Sequence, residues 1–186
     1  ADDPTPPHHW LHPWLPLLPD PGLAELFPQL RHKLATALAG RSAGGAALAK
    51  PLVAPWESVL DGASWQALLS RHVVPRLAHA LGSELVINPA AQDVQPVLAA
   101  LGWHLLLPAS QLASLLVQHL FPPWLEALRQ WLAQPEVDYA EIAQWYQGWK
   151  ALLVEHAPRL VGHPAVRLEL NAALALINAA LDADGS

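Results

Sequence analysis

The segment EIAQWYQGWKALL, residues 141–153, decides between three different proteins: one that stacks nucleic-acid bases, one that offers aromatic rings to a partner, and one that buries them. Ile142, Trp145, Tyr146, Trp149, Leu152 and Leu153 recur at spacings of three and four, which on an α-helix is a single apolar stripe. Glu141, Gln144, Gln147 and Lys150 fall largely off it. Base stacking calls for rings interleaved with cations on an open face. The stripe carries no cation, so its rings read as core. Gly148 stands out, because a mid-helix glycine costs about 1 kcal/mol relative to alanine; it is expected to mark the close approach of a neighbouring backbone.

The same spacing extends outward in both directions. Upstream, Trp124, Leu125, Leu128, Trp131 and Leu132 align on a helix that Pro122 and Pro123 separate from another carrying Leu112, Leu115, Leu116 and Leu120. Downstream, a helix opens after Pro164 with Val166, Leu170, Leu174, Ile177 and Leu181 on one stripe and Leu168, Ala172, Ala175, Leu176 and Ala179 on a second, so it should be sandwiched. Nearer the N-terminus, Leu23, Leu26, Phe27, Leu30, Leu34 and Leu38 form a stripe within which Pro28 should start a fresh turn. GRSAGGA, residues 40–46, reads as a flexible loop, and Pro55 and Trp56 as the start of a short helix. A helix capped by Ser64 carries Trp65, Leu68, Leu69, Val73, Leu77 and Leu81, with Pro75 expected to kink it. Asn88 and Pro89 read as cap and first residue of a helix running through Val94, Leu98 and Leu101. ELVI, residues 84–87, is the only strand candidate. The expectation is an all-α protein of about seven or eight helices stacked as antiparallel pairs, solenoid-like, with a core built on Trp65, Trp124, Trp131, Trp145, Tyr146 and Trp149.

Residues 1–20 differ from the rest. Pro4, Pro6, Pro7, Pro13, Pro16 and Pro19 favour an extended, polyproline-like arm. Trp10, Leu11, Trp14, Leu15, Leu17 and Leu18 make it too apolar for a free linker, so it should lie in a groove of this chain or of a partner. The domain division is therefore an arm, 1–20, and a helical domain, 21–184. Trp10 and Trp14 on the arm, and Gln147 and Lys150 on the polar flank of the opening helix, are the candidate partner-binding residues.

Composition narrows function. A chain of 186 residues with 53% hydrophobic content can bury a sizeable core, and 14% charged residues, against roughly 25% in soluble domains, points to a surface covered within an assembly. Ten Lys and Arg against 16 Asp and Glu give a net charge of −6, the wrong sign for an isolated phosphate-binding module. Without cysteine there is no disulfide framework, thiolate zinc site or cysteine nucleophile. Without methionine the chain reads as a segment of something longer. Val94 to Leu125 is free of Asp, Glu, Lys and Arg, but Pro96, Pro108, Pro122 and Pro123 divide it, which favours buried helices over a membrane span.

Chemistry is sparse. His8, His9 and His12 lie close in sequence, with Asp2 and Asp3 as the only nearby carboxylates, and read as arm polarity; His72 and His79 lack the HExxH spacing that holds zinc. Glu136, Asp138 and Glu141 suit the positive end of a helix dipole. Ser64 and Ser110 read as caps, and no nucleophile elbow or glycine-rich phosphate loop is present. No catalytic residue, cofactor or metal is expected.

Several segments together resemble one family: HPWLPLLP (12–19), HVVPRLAHAL (72–81), LVINPAAQ (85–92), HLFPPWLEALRQWL (119–132), EIAQWYQGWKALL (141–153) and the helix from His163 to Asn178. They are similar to the GC-rich sequence DNA-binding factor-like domain, and the HPWLP start resembles its tuftelin-interacting branch, G-patch splicing factors of the intron-lariat spliceosome. The combination of FPxWL with EIxxWYxGWK is the specific part. Pro123 departs from it, standing where a basic residue would be expected.

The resemblance implies a nuclear, non-catalytic scaffold that docks a splicing factor on spliceosomal proteins of the post-catalytic particle, so that a DEAH-box helicase, reached through a G-patch not among these residues, can dismantle it. A related GCF-domain protein is a further implied partner. Two other classes stay open at this point: a helical domain binding RNA or DNA directly, for which the scattered basic residues would have to converge, and a helical enzyme, for which polar side chains would have to converge in a pocket.

Overall fold

First-turn prolines and aspartate caps set many of the helix starts. The computed structural model describes residues 7–17, 20–39 and 46–184, which are helical almost throughout, with no strand among them. In chain order the α-helices are α1 (Pro7–Leu11), α2 (Asp20–Ala39), α3 (Ala46–Val53), α4 (Gly62–His72), α5 (Val74–His79), α6 (Gln95–Leu101), α7 (Ala109–His119), α8 (Phe121–Leu132), α9 (Tyr139–His156), α10 (Pro158–Val161) and α11 (Pro164–Asp184). Tight 3-10 turns span His12–Leu17 and Ala54–Trp56, and a wide π-type turn spans Ala80–Glu84. The number exceeds the expected seven or eight because prolines divide the chain into additional short helices such as α5 and α10. The expected flexible loop at 40–46 lies almost wholly outside the described residues.

The N-terminal segment is not extended where it is described. Pro7 opens α1, where a missing N–H costs nothing, and Pro13 and Pro16 sit in the 3-10 turn that follows. His12 packs edge-on against Trp56, ring centroids 4.8 Å apart, and this contact anchors the segment on the helices. Pro28 likewise does not interrupt α2, which runs continuously from Asp20 to Ala39.

The chain forms two compact units, 1–76 and 77–186. In the first, α2 packs on α3 and α4, burying Leu30, Leu34, Leu38, Val53, Trp56, Leu60, Trp65 and Leu69. Asp61, not Ser64, caps α4: its Oδ1 accepts the Ser64 N–H at 2.9 Å, while the Ser64 hydroxyl accepts from Arg31 Nη1 at 2.6 Å. Pro75 does more than kink the predicted helix. It splits it, α4 ending at His72 and α5 opening at Val74.

In the second unit α7 is central, meeting α8, α10, α11 and the 80–84 turn, while α6 and α10 both pack on α9. A solenoid repeat touches only its neighbours in sequence, so this packing is not solenoid-like. Leu101, Trp103, Leu112, Leu116, Leu120, Phe121, Trp124 and Leu128 are buried, and no polar or charged side chain is buried among the described residues. The charge-free run from Val94 to Leu125 thus supplies much of the interior of this unit, although Leu105 within it is exposed.

Asn88 and Pro89 do not start a helix. Asn88 Oδ1 accepts the Ala90 N–H at 3.0 Å, its own N–H donates to Gln92 Oε1, and Gln92 Nε2 donates to the carbonyls of Val86 and Asp93. That network stabilises a compact loop, and α6 starts only at Gln95. Ser110 is not a cap either, since α7 begins at Ala109 with Pro108 in the capping position. The final helix is covered on one side only: Val166, Leu170, Ala173 and Ile177 are buried, whereas Leu168, Leu174 and Leu181 are exposed. By length and apolar content α11 could cross a bilayer; here its covered face rests on α7 and α8.

Candidate functional site

The opening helix begins where Asp138 accepts the N–H groups of Ala140 and Glu141 at 2.8 and 3.2 Å, an N-cap that sets the phase of all that follows in α9. That phase buries Ile142, Tyr146, Trp149 and Leu153 and leaves Trp145 half-exposed at the margin of the stripe. Trp145 stacks on Trp124 of α8, centroids 5.2 Å apart and planes 15° apart, and meets Trp131 and Trp149 edge-on at 6.0 and 6.3 Å. Phe121 and Tyr146 close the cluster around Trp124 at 5.7 and 6.1 Å. Offset and edge geometries of this kind contribute about 0.5–1.5 kcal/mol per pair beyond area burial. They clamp α8 to α9.

Of the six core residues expected from the sequence, Trp65, Trp124, Tyr146 and Trp149 are buried, while Trp131 and Trp145 are half-buried. The reason lies beside them. Trp131 and Trp145 form part of a groove of about 800 Å³ between α8, α9 and the 87–90 loop. Gln130, Gln134, Glu141 and Gln144 stand along it. Gln130 Nε2 donates to Glu126 Oε1 at 3.0 Å, but the side chains of Gln134, Glu141 and Gln144 make no hydrogen bond among the described residues. No Lys or Arg lines the groove.

The residues expected to bind partners are distributed differently. Trp10 and Trp14 are 54% and 60% exposed and belong to the first unit, so no groove of the described residues covers their rings. Trp10 also lines a smaller cleft of about 240 Å³ with Leu26, Leu34, Leu52, Trp56 and Lys33. Gln147 is exposed and Lys150 half-buried in the second unit, outside the 800 Å³ groove. No neighbouring backbone approaches Gly148, where an added Cβ would meet nothing within 4 Å. That expectation is corrected.

The remaining chemistry is structural. His8 lies 4.3 Å from His9 and 5.8 Å from His12, ring to ring; burial first, then repulsion from these two neighbours, holds its pKa below the ordinary 6.5. Among the described residues no group of three or more His, Asp or Glu is placed to hold a metal ion. Arg31 of α2 reaches across to α4, donating to Ser64 and lying 3.7 Å from Asp61, and Arg129 is 3.5 Å from Glu126 of its own helix, so both cations are engaged within the fold.

The glutamine groove was not identified from the sequence, where Gln144 reads only as polar flank and Glu141 as polar flank and dipole partner. Its signal was present in the spacing: Gln130 and Gln134 are four apart around Trp131, and Glu141 and Gln144 three apart beside Trp145.

Comparison with known proteins agrees with the motifs. Residues 2–128 match the family described as GC-rich sequence DNA-binding factor-like protein. Tuftelin-interacting protein 11 of Rattus norvegicus is 38% identical over 182 residues, 98% of this chain, and that of Danio rerio 40% identical over 179 residues, 96% of it. The Bos taurus protein is 37% identical over 182 residues. The chain spans 21% of the length of these relatives. With residues 2–128 under the family match and almost the whole chain aligned to these relatives, the protein belongs to the GC-rich sequence DNA-binding factor-like family, in its tuftelin-interacting branch.

Proposed function

We propose that this helical module is a non-catalytic protein-interaction scaffold of a nuclear pre-mRNA splicing factor, docking it on proteins of the intron-lariat spliceosome ahead of disassembly by a DEAH-box helicase. The observation that carries this is the similarity to tuftelin-interacting protein 11 across 98% of the chain, together with the splicing role implied by the motif resemblance. The physical properties agree with it. The 800 Å³ groove offers amide and indole groups but no cation, the net charge is −6, and the polar groups along the groove contain no nucleophile–base pair. Such a surface suits protein better than phosphate.

The test is deletion of this segment from the full-length splicing factor, followed by two measurements. Association with purified intron-lariat particles should be lost, while stimulation of the isolated helicase by the G-patch should persist. Unchanged association would overturn the scaffold reading. Binding of the undeleted factor that depends on this segment but falls steeply as salt is raised would favour direct RNA contact instead.

A further inference from the structure

Resting on the scaffold reading, and naming the partner for one of its surfaces, we propose that the groove between α8 and α9 is a receptor for an extended peptide segment carrying a basic side chain, with the cation at Glu141 and its stem across Trp131 and Trp145.

Four observations converge. The groove, at about 800 Å³, is too large for a single side chain and falls in the range of ligand sites, roughly 300–1,000 Å³. Three of its polar side chains are uncommitted: those of Gln134, Glu141 and Gln144 make no hydrogen bond among the described residues. A primary amide both donates and accepts, which is what the N–H and C=O groups of an extended main chain require. Its charge is one-sided, with a single carboxylate, Glu141, and no Lys or Arg along its lining. An acidic peptide or a phosphate backbone would meet that carboxylate without compensation, whereas an arginine or lysine completes it. Finally, the half-exposed rings of Trp131 and Trp145 lie 6.0 Å apart and edge-on, offering apolar surface to an aliphatic stem and a π-face to a guanidinium.

The groove is also preformed. Stacking of Trp145 on Trp124 sets one wall. The opposite wall, Asn88 to Ala90, is braced by the Asn88 and Gln92 hydrogen bonds. The receptor side therefore needs little ordering on binding, which lowers one of the costs of association.

The experiment titrates the 186-residue chain with a capped peptide of alternating arginine and leucine bracketed by prolines, and follows the indole N–H resonances of its tryptophans. Trp131 and Trp145 are assigned by single substitution to phenylalanine. Their two signals should move and saturate, while that of the buried Trp103 stays fixed. Glu141→Gln should weaken binding about three- to fivefold, the scale of one partly exposed ion pair, and Gln144→Ala should weaken it further, both with unaltered melting temperatures. The same peptide with glutamate in place of arginine should not bind. The proposal is overturned if neither indole moves, if the glutamate peptide binds equally well, if Glu141→Gln and Gln144→Ala bind as the parent does, or if single-stranded oligouridylate moves the same two signals. The scaffold reading is tested separately, on spliceosomal particles: loss of peptide binding with particle association intact would remove this inference and leave that one standing.

Discussion

The phenol of Tyr139 donates a 2.7 Å hydrogen bond to Asp184 Oδ2, joining the first residue of α9 to the last of α11. That bond, ahead of partial burial and the nearby negative charge, raises the Tyr139 pKa above its ordinary 10.0; for Tyr146 burial alone raises it. Both phenols are held in the protonated form by the fold. Their contribution to stability is therefore complete below the unfolded value of 10.0 and is lost as pH rises through the higher folded values. Phenolate absorbance should appear at higher pH in the folded chain than in the urea-unfolded one, and Asp184→Asn should return one of the two titrations toward 10.0. A folded chain titrating like the unfolded one would contradict this.

The two tryptophans of the opening segment should respond unequally. Trp149 is 5% exposed, so Trp149→Ala should destabilise by about 3–5 kcal/mol. Trp145, half-exposed but stacked on Trp124, should cost less. Exposed Gln147→Ala should change stability by no more than about 0.5 kcal/mol. Chemical denaturation of the three variants side by side checks the order, and equal midpoints for Trp149→Ala and Gln147→Ala would remove Trp149 from the core.

Gly148 should be improvable. It lies in the middle of α9 with open space around it, so Gly148→Ala should stabilise the isolated chain by about 1 kcal/mol, the helix-propensity difference. The expected rise in melting temperature would become a fall if a neighbouring backbone lay against it.

Acid should weaken the first unit. The pKa of His8 is lowered by burial and by His9 and His12; that of His72 is lowered by burial and by Arg71 and Arg76. Both are disfavoured as imidazolium, so the stability they contribute is present above the unfolded value of 6.5 and is lost as pH falls through the lower folded values. Melting temperatures should drop as pH falls below the unfolded value of 6.5, and a chain carrying His8→Ala and His72→Gln should drop less. An identical pH profile would assign the acid sensitivity elsewhere.

What could be seen in the sequence was whatever depends on periodicity. The stripes of α7, α8 and α9, and the Pro122–Pro123 boundary, follow from spacing because a helix puts residues three and four apart on one face whatever surrounds it. Proline was harder, since its effect depends on position: at Pro7 it starts a helix, and at Pro75 it divides one. Side-chain competition misled at Ser64 and Asn88, both plausible caps until Asp61 and Gln92 supply the better partner. Burial of the second flank of α11 was overestimated because an apolar face does not name what covers it. The groove is the hardest case. Its amides, its one carboxylate and its two indole rings stand on α8 and α9 beside the 87–90 loop, and only tertiary packing brings them together.

The late position of α11 in the chain bears on how the protein is made. Its covered face completes the surroundings of α7 and α8, yet at roughly 5–20 residues per second the ribosome delivers Asp184 about 3–13 s after His119. Throughout that interval the charge-free stretch from Val94 to Leu125, which supplies much of the interior, has no gatekeeping charge to keep it from self-association. The nascent second unit is thus a natural client for chaperones, which would hold α7 until its last packing partner emerges.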